Sequence, residues 1–488
     1  MDLVSLRELI GAIAGVRVLA VGDLMVDRFV YGDVGRVSAE APVPVLARTA
    51  ETVMLGVAGT VARNLAVLGG AAALVGVVGD DSAAHEAMGL IEEQAGIEGF
   101  LVTDPARATT VKTRFVAAGQ QLLRVDLEHV SPVEGAVEAR LVRTIADAAV
   151  GCGAILLSDY GKGVVSPAVI EACLAAARRE NAVLVVDSKA RGFGRYGPAD
   201  VIKPNAAELA HATDLPTGTN AEVEAALHRA LELCDCGAVL VTRAAKGMSL
   251  AVRGAPVRHF RRAPPEVFDT AGAGDTALAA LGLALAARVP IGDAVAFALL
   301  ASSVAVERAG TAAVAPEELI EAEIAAHRAP LEAKIATPAR MVREVARWRE
   351  RGLRIGFTNG GFDILHLGHI ACLAEAKGWC DKLIVGVNTD RSVRATKGAG
   401  RPVNDLEARA LVLAGLAGVD LVVAFDEDTP LCLIAVARPD VLIKGADYAS
   451  CEVIGGDLVK GWGGEVRLAA FVEGQSTTAT LRRLSDRA

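Results

Sequence analysis

Short β-branched runs alternate with Ala/Leu/Glu-rich stretches along almost the whole chain, and this narrows the possible folds more than any other feature. Candidate strands lie at Val16–Val21, Ala73–Val78, Ala154–Ser158, Ala182–Asp187 and Ala238–Thr242. Several are separated by helical patterns of about 10–15 residues, the rhythm of βαβ units. A chain of this kind folds as an α/β protein with a doubly wound parallel sheet and helices on both faces. Segment Phe29–Val45 alternates Val with polar residues and ends in Ala41-Pro42-Val43-Pro44, which predicts a small β lid on the main sheet.

The chain has 488 residues, too many for one core at roughly 100–200 residues per domain. The rhythm breaks over Glu317–Arg351, a charged helical stretch interrupted by Pro330 and Pro338. A fresh strand at Arg354–Thr358 opens a second α/β unit, continued by Lys382–Val387, Leu421–Ala424, Val441–Lys444 and Glu465–Leu468. The expected organisation is a first domain over 1–325, a helical linker over 326–349 and a Rossmann-like second domain over 350–488.

Composition agrees with two buried cores: 52% hydrophobic and 22% charged residues, with only 4% aromatics. The net charge of −9, without a block of basic residues, argues against nucleic acid as a partner, because that affinity rests on Lys and Arg meeting phosphates. The eight cysteines are scattered, and Cys234-Asp235-Cys236 lacks CxxC spacing, so free thiols in a reducing compartment are expected. Met1–Leu9 has no signal-peptide core. The apolar runs Ala277–Ala287 and Ala294–Val306 fall short of the ~20 residues that span a bilayer and read as buried helices. A cytoplasmic enzyme that engages no membrane is expected.

Two motifs carry chemistry. The first is Asp269-Thr270-Ala271-Gly272-Ala273-Gly274-Asp275-Thr276, followed at once by a long apolar helical run. Glycines just before a helix let N–H groups converge on an anion, and the helix dipole adds positive potential. A transferring phosphoryl group needs such a cradle, Gly272–Ala273–Gly274, and Asp275 at the helix mouth is placed to take a proton from an attacking hydroxyl. The plainer alternative is a tight turn with a capping Asp. Asn205 and Glu208, three apart at a helix start, face the same way and either order the water shell of Mg²⁺ or form a capping box. Gly22, Asp23 and Asp27 follow the first strand and are candidates to meet sugar hydroxyls, with a plain turn as the alternative.

Together these segments resemble the ribokinase (PfkB-type) family of carbohydrate kinases over roughly residues 1–320. The resemblance implies that Gly272, Ala273 and Gly274 form the anion hole, that Asp275 is the catalytic base, and that Asn205 and Glu208 organise magnesium. It also carries nucleotide contacts to Thr242 and Gly247. The segments Gly35–Val45, Gln120–Asp126 and Leu157–Gly163 are similar to those of heptose 7-phosphate kinases. Lys112, Arg114, Arg124 and Lys189 are then the candidates to neutralise a phosphate already on the substrate. The family reads GGAAN before its sugar-binding helix, where this chain has Gly56-Val57-Ala58-Gly59-Thr60 and Asn64 further on. Gly56, Thr60 and Asn64 are the corresponding candidates for sugar contact.

The second motif is His366-Leu367-Gly368-His369, after a strand and the turn Asn359-Gly360-Gly361. Two histidines three apart lie on one helical face, where they stabilise charge as pyrophosphate leaves. The alternatives are a metal pair or two surface histidines. The motif resembles the cytidylyltransferase-like nucleotidyltransferases over roughly residues 350–485. The resemblance implies nucleotide contacts at Thr358, Asn359, Gly368, Lys397, Arg401, Lys444, Ser476, Thr477 and Thr478.

The fusion of both modules resembles the bifunctional heptose 7-phosphate kinase/heptose 1-phosphate adenylyltransferase family. It implies ATP and Mg²⁺, heptose phosphates as substrates, a separate phosphatase acting between the two steps, a product for lipopolysaccharide core synthesis, and a homo-oligomer. The rivals are a kinase fused to a cytidylyltransferase for another polyol phosphate, and a non-catalytic sugar-phosphate-binding first domain.

Overall fold

Strands form where the β-branched runs stand, each within a residue or two of its expected bounds. The computed structural model of the protein describes residues 2–189, 192–262, 270–307, 313–398, 400–445 and 453–469. It divides into two compact units, Met1–Ile324 and Ala325–Ala488.

The first unit is built on a nine-stranded sheet. Its order is Arg258–Phe260, Met248–Val252, Ala238–Thr242, Val201–Ile202, Val183–Ser188, Ala154–Asp159, Arg17–Gly22, Ala71–Val78 and Ile97–Thr103. The hairpin of the first two joins antiparallel, and the remaining pairings are parallel. One face packs on a core that includes Leu6, Leu65, Leu278 and Phe297, the other on Leu141, Val169, Phe193 and Leu227. The two long apolar runs form the helices Ala273–Ala286 and Ile291–Ala305, buried around most of their circumference, which is why they show no polar stripe.

The lid is larger than Phe29–Val45 alone suggested. Strands Pro44–Val57, Leu24–Val37, Thr110–Ala117 and Gln120–Leu127 form a separate four-stranded sheet in that order. The first two are 14 residues each, with register shifts at Tyr31/Gly32 and Val34/Arg36.

The second unit has a six-stranded, wholly parallel sheet ordered Ile335–Ala336, Leu421–Phe425, Lys382–Asn388, Ile355–Gly360, Val441–Gly445 and Glu465–Ala469. Part of the stretch expected as a helical linker belongs to it. Ile335–Ala336 forms its edge strand, and the helix Pro338–Glu350 buries Met341, Val345 and Trp348 in its core. Those three are four and three residues apart, one apolar stripe on a helix. Among the described residues no helix is long and apolar enough to cross a membrane.

Candidate active sites

Both sheets reverse their winding, and both candidate sites lie at the reversal. In the first unit, strand Arg17–Gly22 lies between Ala71–Val78 and Ala154–Asp159. Ligands in open parallel sheets bind outside the carboxyl ends of the strands at such a switch. There the Asp23 amide donates to the Ser158 carbonyl at 3.2 Å. A Cβ on Gly22 would stand 2.1 Å from that oxygen, at φ +153°, so only glycine fits.

Asp275 lies in the first turn of the helix Ala273–Ala286, after Gly272 in the left-handed region at φ 76°. Its carboxyl is buried and accepts from the Tyr160 hydroxyl at 3.0 Å. Burial, reinforced by Asp187 and only partly offset by Lys203, Tyr160 and Lys189, pushes its pKa up to about 7. The same burial, with Asp275 beside it, raises the Tyr160 phenol above its ordinary value. Lys203 and Asp187 form a buried ion pair at 3.1 Å. The Lys203 Nζ lies 3.9 Å from where a Gly274 Cβ would stand. The Ala273 amide reaches the Thr270 carbonyl at 3.4 Å, and Gly274 stands beside it in the first turn, where N–H groups have no intrahelical acceptor. An anion at that mouth would meet them, with Lys203 close by and a titratable carboxyl alongside.

Asn205 and Glu208 close on each other as a capping box. The Glu208 amide donates to Asn205 Oδ1 at 2.9 Å, and the Asn205 amide donates to Glu208 Oε2 at 2.7 Å. The other Glu208 oxygen pairs with Lys189. Among the described residues no group of three or more His, Cys, Asp or Glu that could hold a metal ion is found, and Asn205 Oδ1 and both Glu208 carboxylate oxygens are engaged by these contacts. Thr242 ends its strand and donates its amide to the Pro204 carbonyl at 3.0 Å. Gly247 follows the short turn Ala244–Lys246.

In the second unit the reversal falls between Ile355–Gly360 and Val441–Gly445. His366 caps the helix Leu367–Gly378, with Gly368 and His369 in its first turn. The two imidazoles stack, centroids 3.8 Å apart, and Phe362 lies 5.2 Å from His369. The Nδ1 atoms of both histidines are buried without a hydrogen-bond partner among the described residues. Burial lowers the His369 pKa to about 4, with His366 and Lys397 adding to the effect, and lowers that of His366 with help from Lys397. The Lys397 Nζ would be 3.6 Å from a Cβ on Gly361. Burial, then repulsion from Arg401, lowers its own pKa. Thr358 is buried, the buried Asn359 Oδ1 has no hydrogen-bond partner among the described residues, and the Lys444 ammonium donates to the Asn359 carbonyl at 3.1 Å. Arg401 pairs with buried Asp363, whose other oxygen accepts the Val403 and Asn404 amides. Burial alone would raise Asp363, but the Asn404 amide and Arg401 outweigh it and hold the carboxyl low. Ser476, Thr477 and Thr478 lie outside the described residues.

Curated relatives match the chain end to end. "Bifunctional protein HldE" of Caulobacter vibrioides is 48% identical over 482 residues, 99% of this chain and 99% of the relative. The protein of the same name from Rhodospirillum rubrum is 47% identical, over 98% of this chain and 97% of its own. The chain belongs to the HldE family of bifunctional proteins. The family descriptions that match its parts are pfkB family carbohydrate kinase, over residues 17–318, and Cytidylyltransferase-like, over residues 357–473. Like the HldE relatives it is therefore a transferase enzyme with a carbohydrate-kinase part and a nucleotidyltransferase part. The fold of the first part is that of phosphofructokinase-2 from Escherichia coli, at TM-score 0.54 and 19% identity over 64% of this chain and 100% of that one. A putative ribokinase from Agrobacterium tumefaciens is similar at TM-score 0.51 and 20% identity, over 64% and 98%.

Several expected contacts of this HldE-family chain are already occupied. Asp23 is 1% exposed, and its carboxylate accepts the amides of Tyr160 at 2.8 Å, Lys162 at 3.1 Å and Val164 at 3.3 Å. It anchors the Tyr160 loop rather than facing a sugar. Thr60 gives its hydroxyl to the Leu55 carbonyl at 2.8 Å. Asn64 bonds the Thr60 carbonyl at 2.9 Å and accepts from the Thr276 hydroxyl at 3.2 Å. Both are buried, so neither presents a polar group to a sugar in this geometry. Asp27, packed against Gly56, pairs with Arg114 at 2.6 Å. Lys112 and Arg124 lie on lid strands, Arg124 paired with Asp126.

The residues that sequence reasoning passed over are buried ones. Tyr160, Asp187 and Lys203 frame Asp275, and Arg409 braces the second site. The Arg409 guanidinium is 2% exposed and donates to the Gly361 and Asn404 carbonyls and to Asp390. A Lys directly after the apolar strand Val201–Ile202 was the one available sign for Lys203. Nothing local marked Arg409.

Proposed function

We propose that the first unit transfers the γ-phosphoryl group of ATP to the C1 hydroxyl of D-glycero-β-D-manno-heptose 7-phosphate. The second unit joins heptose 1-phosphate to the AMP part of a second ATP, giving ADP-heptose and pyrophosphate for lipopolysaccharide core synthesis. A separate phosphatase removes the 7-phosphate between the steps.

The observation that carries the reading is Asp275, a buried carboxyl poised near neutral pH at the mouth of a glycine-led helix. It takes the C1 proton as the hydroxyl oxygen bonds to the γ-phosphorus and ADP departs. Gly272–Gly274 and Lys203 stabilise the charge on the moving group. Mg²⁺ arriving with ATP would meet Asn205 and Glu208 through its water shell, and when bound it neutralises phosphate charge. Lys112 and Arg124 on the lid are suited to the 7-phosphate. In the second unit the sugar phosphate attacks the α-phosphorus, and His366, His369 and Lys397 hold the departing pyrophosphate. Gly368 lets the nucleotide approach the backbone, and Thr358, Asn359, Arg401 and Lys444 line its approach. The setting is the cytoplasm, where ATP is supplied, and the chain acts as a homo-oligomer.

The test is to incubate the protein with Mg²⁺-ATP and heptose 7-phosphate, follow ADP, then add the phosphatase and follow pyrophosphate, with CTP as the alternative donor. ADP followed by pyrophosphate from ATP is expected. Pyrophosphate from CTP alone would replace the adenylyl reading, and absence of ADP would remove the heptose kinase.

A further inference from the structure

The helix Asn220–Leu233 ends at Cys234, which is extended at φ −130° and ψ 158°. Two residues on, Cys236 leads through Gly237 into the strand Ala238–Thr242. Side chains two residues apart in extended chain fall on one side, and here that brings two sulfurs together. Their Sγ atoms stand 2.6 Å apart, both as free thiols. Facing side chains this close need no backbone movement to be bridged.

The turn that holds them is pinned. Arg253 Nη2 donates to the carbonyls of Leu231 at 2.9 Å, Cys234 at 3.0 Å and Cys236 at 3.2 Å. The Gly237 amide donates to the Ala199 carbonyl at 3.1 Å. A helix C-terminus disfavours negative charge, but the Arg253 guanidinium seated on those carbonyls offsets it. The hydrogen bond between the two thiols, helped by Arg253, holds Cys234 below the ordinary thiol value against its burial. The same bond, together with burial, holds Cys236 above it. The thiolate is the nucleophile, so Cys234 attacks and Cys236 resolves. Other buried thiols lack this arrangement: burial pushes Cys173 up to about 12 and Cys380 up to about 11, and it raises Cys152 as well. Cys234 and Cys236 are 5% and 0% exposed, yet Leu233, Asp235 and Gly237, which alternate with them, are exposed. Local opening of such a helix end admits a small oxidant.

We propose that Cys234 and Cys236 form a reversible oxidation site for hydroperoxides, apart from both transferase sites. The Cys234 thiolate attacks the peroxide; an S–O bond forms as the O–O bond breaks, and the alkoxide leaves with a proton as an alcohol (water, for hydrogen peroxide). Cys236 then attacks the sulfenic sulfur; the S–S bond forms, the S–O bond breaks, and hydroxide leaves with the Cys236 proton as water. Two thiols thereby give two electrons to one peroxide. A dithiol reverses the step by exchange. The disulfide ties the end of the helix Asn220–Leu233 to the start of the strand Ala238–Thr242, and capture by Cys236 keeps Cys234 from passing on to the irreversible oxygen acids.

The tryptic peptide Ala230–Arg243 holds both residues and no other cysteine. The test treats the full chain with stoichiometric hydrogen peroxide at neutral pH, unfolds it in excess alkylating agent, and weighs this peptide after digestion. It should be unalkylated and lighter by two hydrogens, and dithiothreitol should restore two alkylatable thiols. In Cys236→Ser, Cys234 should instead take up a sulfenic-acid trap or further oxygen. The wild-type map decides the matter even if that variant folds poorly. A doubly alkylated Ala230–Arg243 from the peroxide-treated wild-type chain would overturn the proposal, as would oxygen acids accumulating on Cys234 with Cys236 present.

Discussion

The Tyr160 hydroxyl donates to Asp275 Oδ1 at 3.0 Å, across 115 residues of sequence. The bond favours the ionised carboxylate against the burial that drives its pKa up to about 7. Tyr160→Phe removes it. A hydrogen bond to a charged group contributes about 1.5 kcal/mol, close to one pH unit. The acid limb of kinase kcat/KM should therefore move up by about one unit. An unmoved limb would mean that Asp275 is not the group that titrates.

Asp275 also sets a trade between activity and stability. Its folded pKa lies above the unfolded value of 3.8, so the folded state holds a proton that the unfolded chain has released. That contribution is fully present below about pH 4 and is lost as pH rises towards 7. Asp275→Asn keeps the shape and the Tyr160 contact without the buried charge. At pH 8 the variant should be more stable by roughly 1–2 kcal/mol in thermal unfolding, while its kinase activity disappears. A less stable variant would contradict the burial argument.

The elements were legible because each strand is a short apolar run and each chemical motif sits where a strand hands over to a helix. Asp275, His366 and His369 stand in short motifs that the sequence displays, though spacing alone leaves a capping Asp and two surface histidines as alternatives, and their proposed roles come from the family resemblance. What the sequence did not disclose is tertiary: Asp23 carries no sign that the 160–164 loop will take both its oxygens, and Asn64 none that Thr276 lies opposite. Residues 326–349 look like a linker because Pro330 and Pro338 interrupt a charged stretch, yet Met341, Val345 and Trp348 form a stripe that needs a core. Arg409 is invisible locally because its partners lie up to 48 residues away.

Asn64 offers a direct test of positioning against binding. Asn64→Leu leaves the Thr276 hydroxyl without that acceptor and should cost about 1–3 kcal/mol of stability, while KM for the sugar phosphate changes by no more than about twofold. A tenfold rise in KM with unchanged stability would restore Asn64 as a sugar contact.

The histidine pair gives a pH signature. With its pKa lowered to about 4, His369 stays neutral through the physiological range, and the stability it contributes is lost as pH falls from about 6.5 towards 4. Its imidazole proton resonances should be flat from pH 8 to about 5.5 in the free protein. They should titrate at higher pH once a nucleotide's phosphates stand beside the ring. A free-state midpoint near 6.5 would contradict the buried, stacked geometry.

The central claim is that one chain carries two separate transferase sites, and paired activity measurements on two variants test it most directly. Asp275→Asn should abolish ADP release from heptose 7-phosphate and leave pyrophosphate release from heptose 1-phosphate unchanged. His366→Ala should do the reverse. Loss of both activities in either well-folded variant would contradict the two-site account.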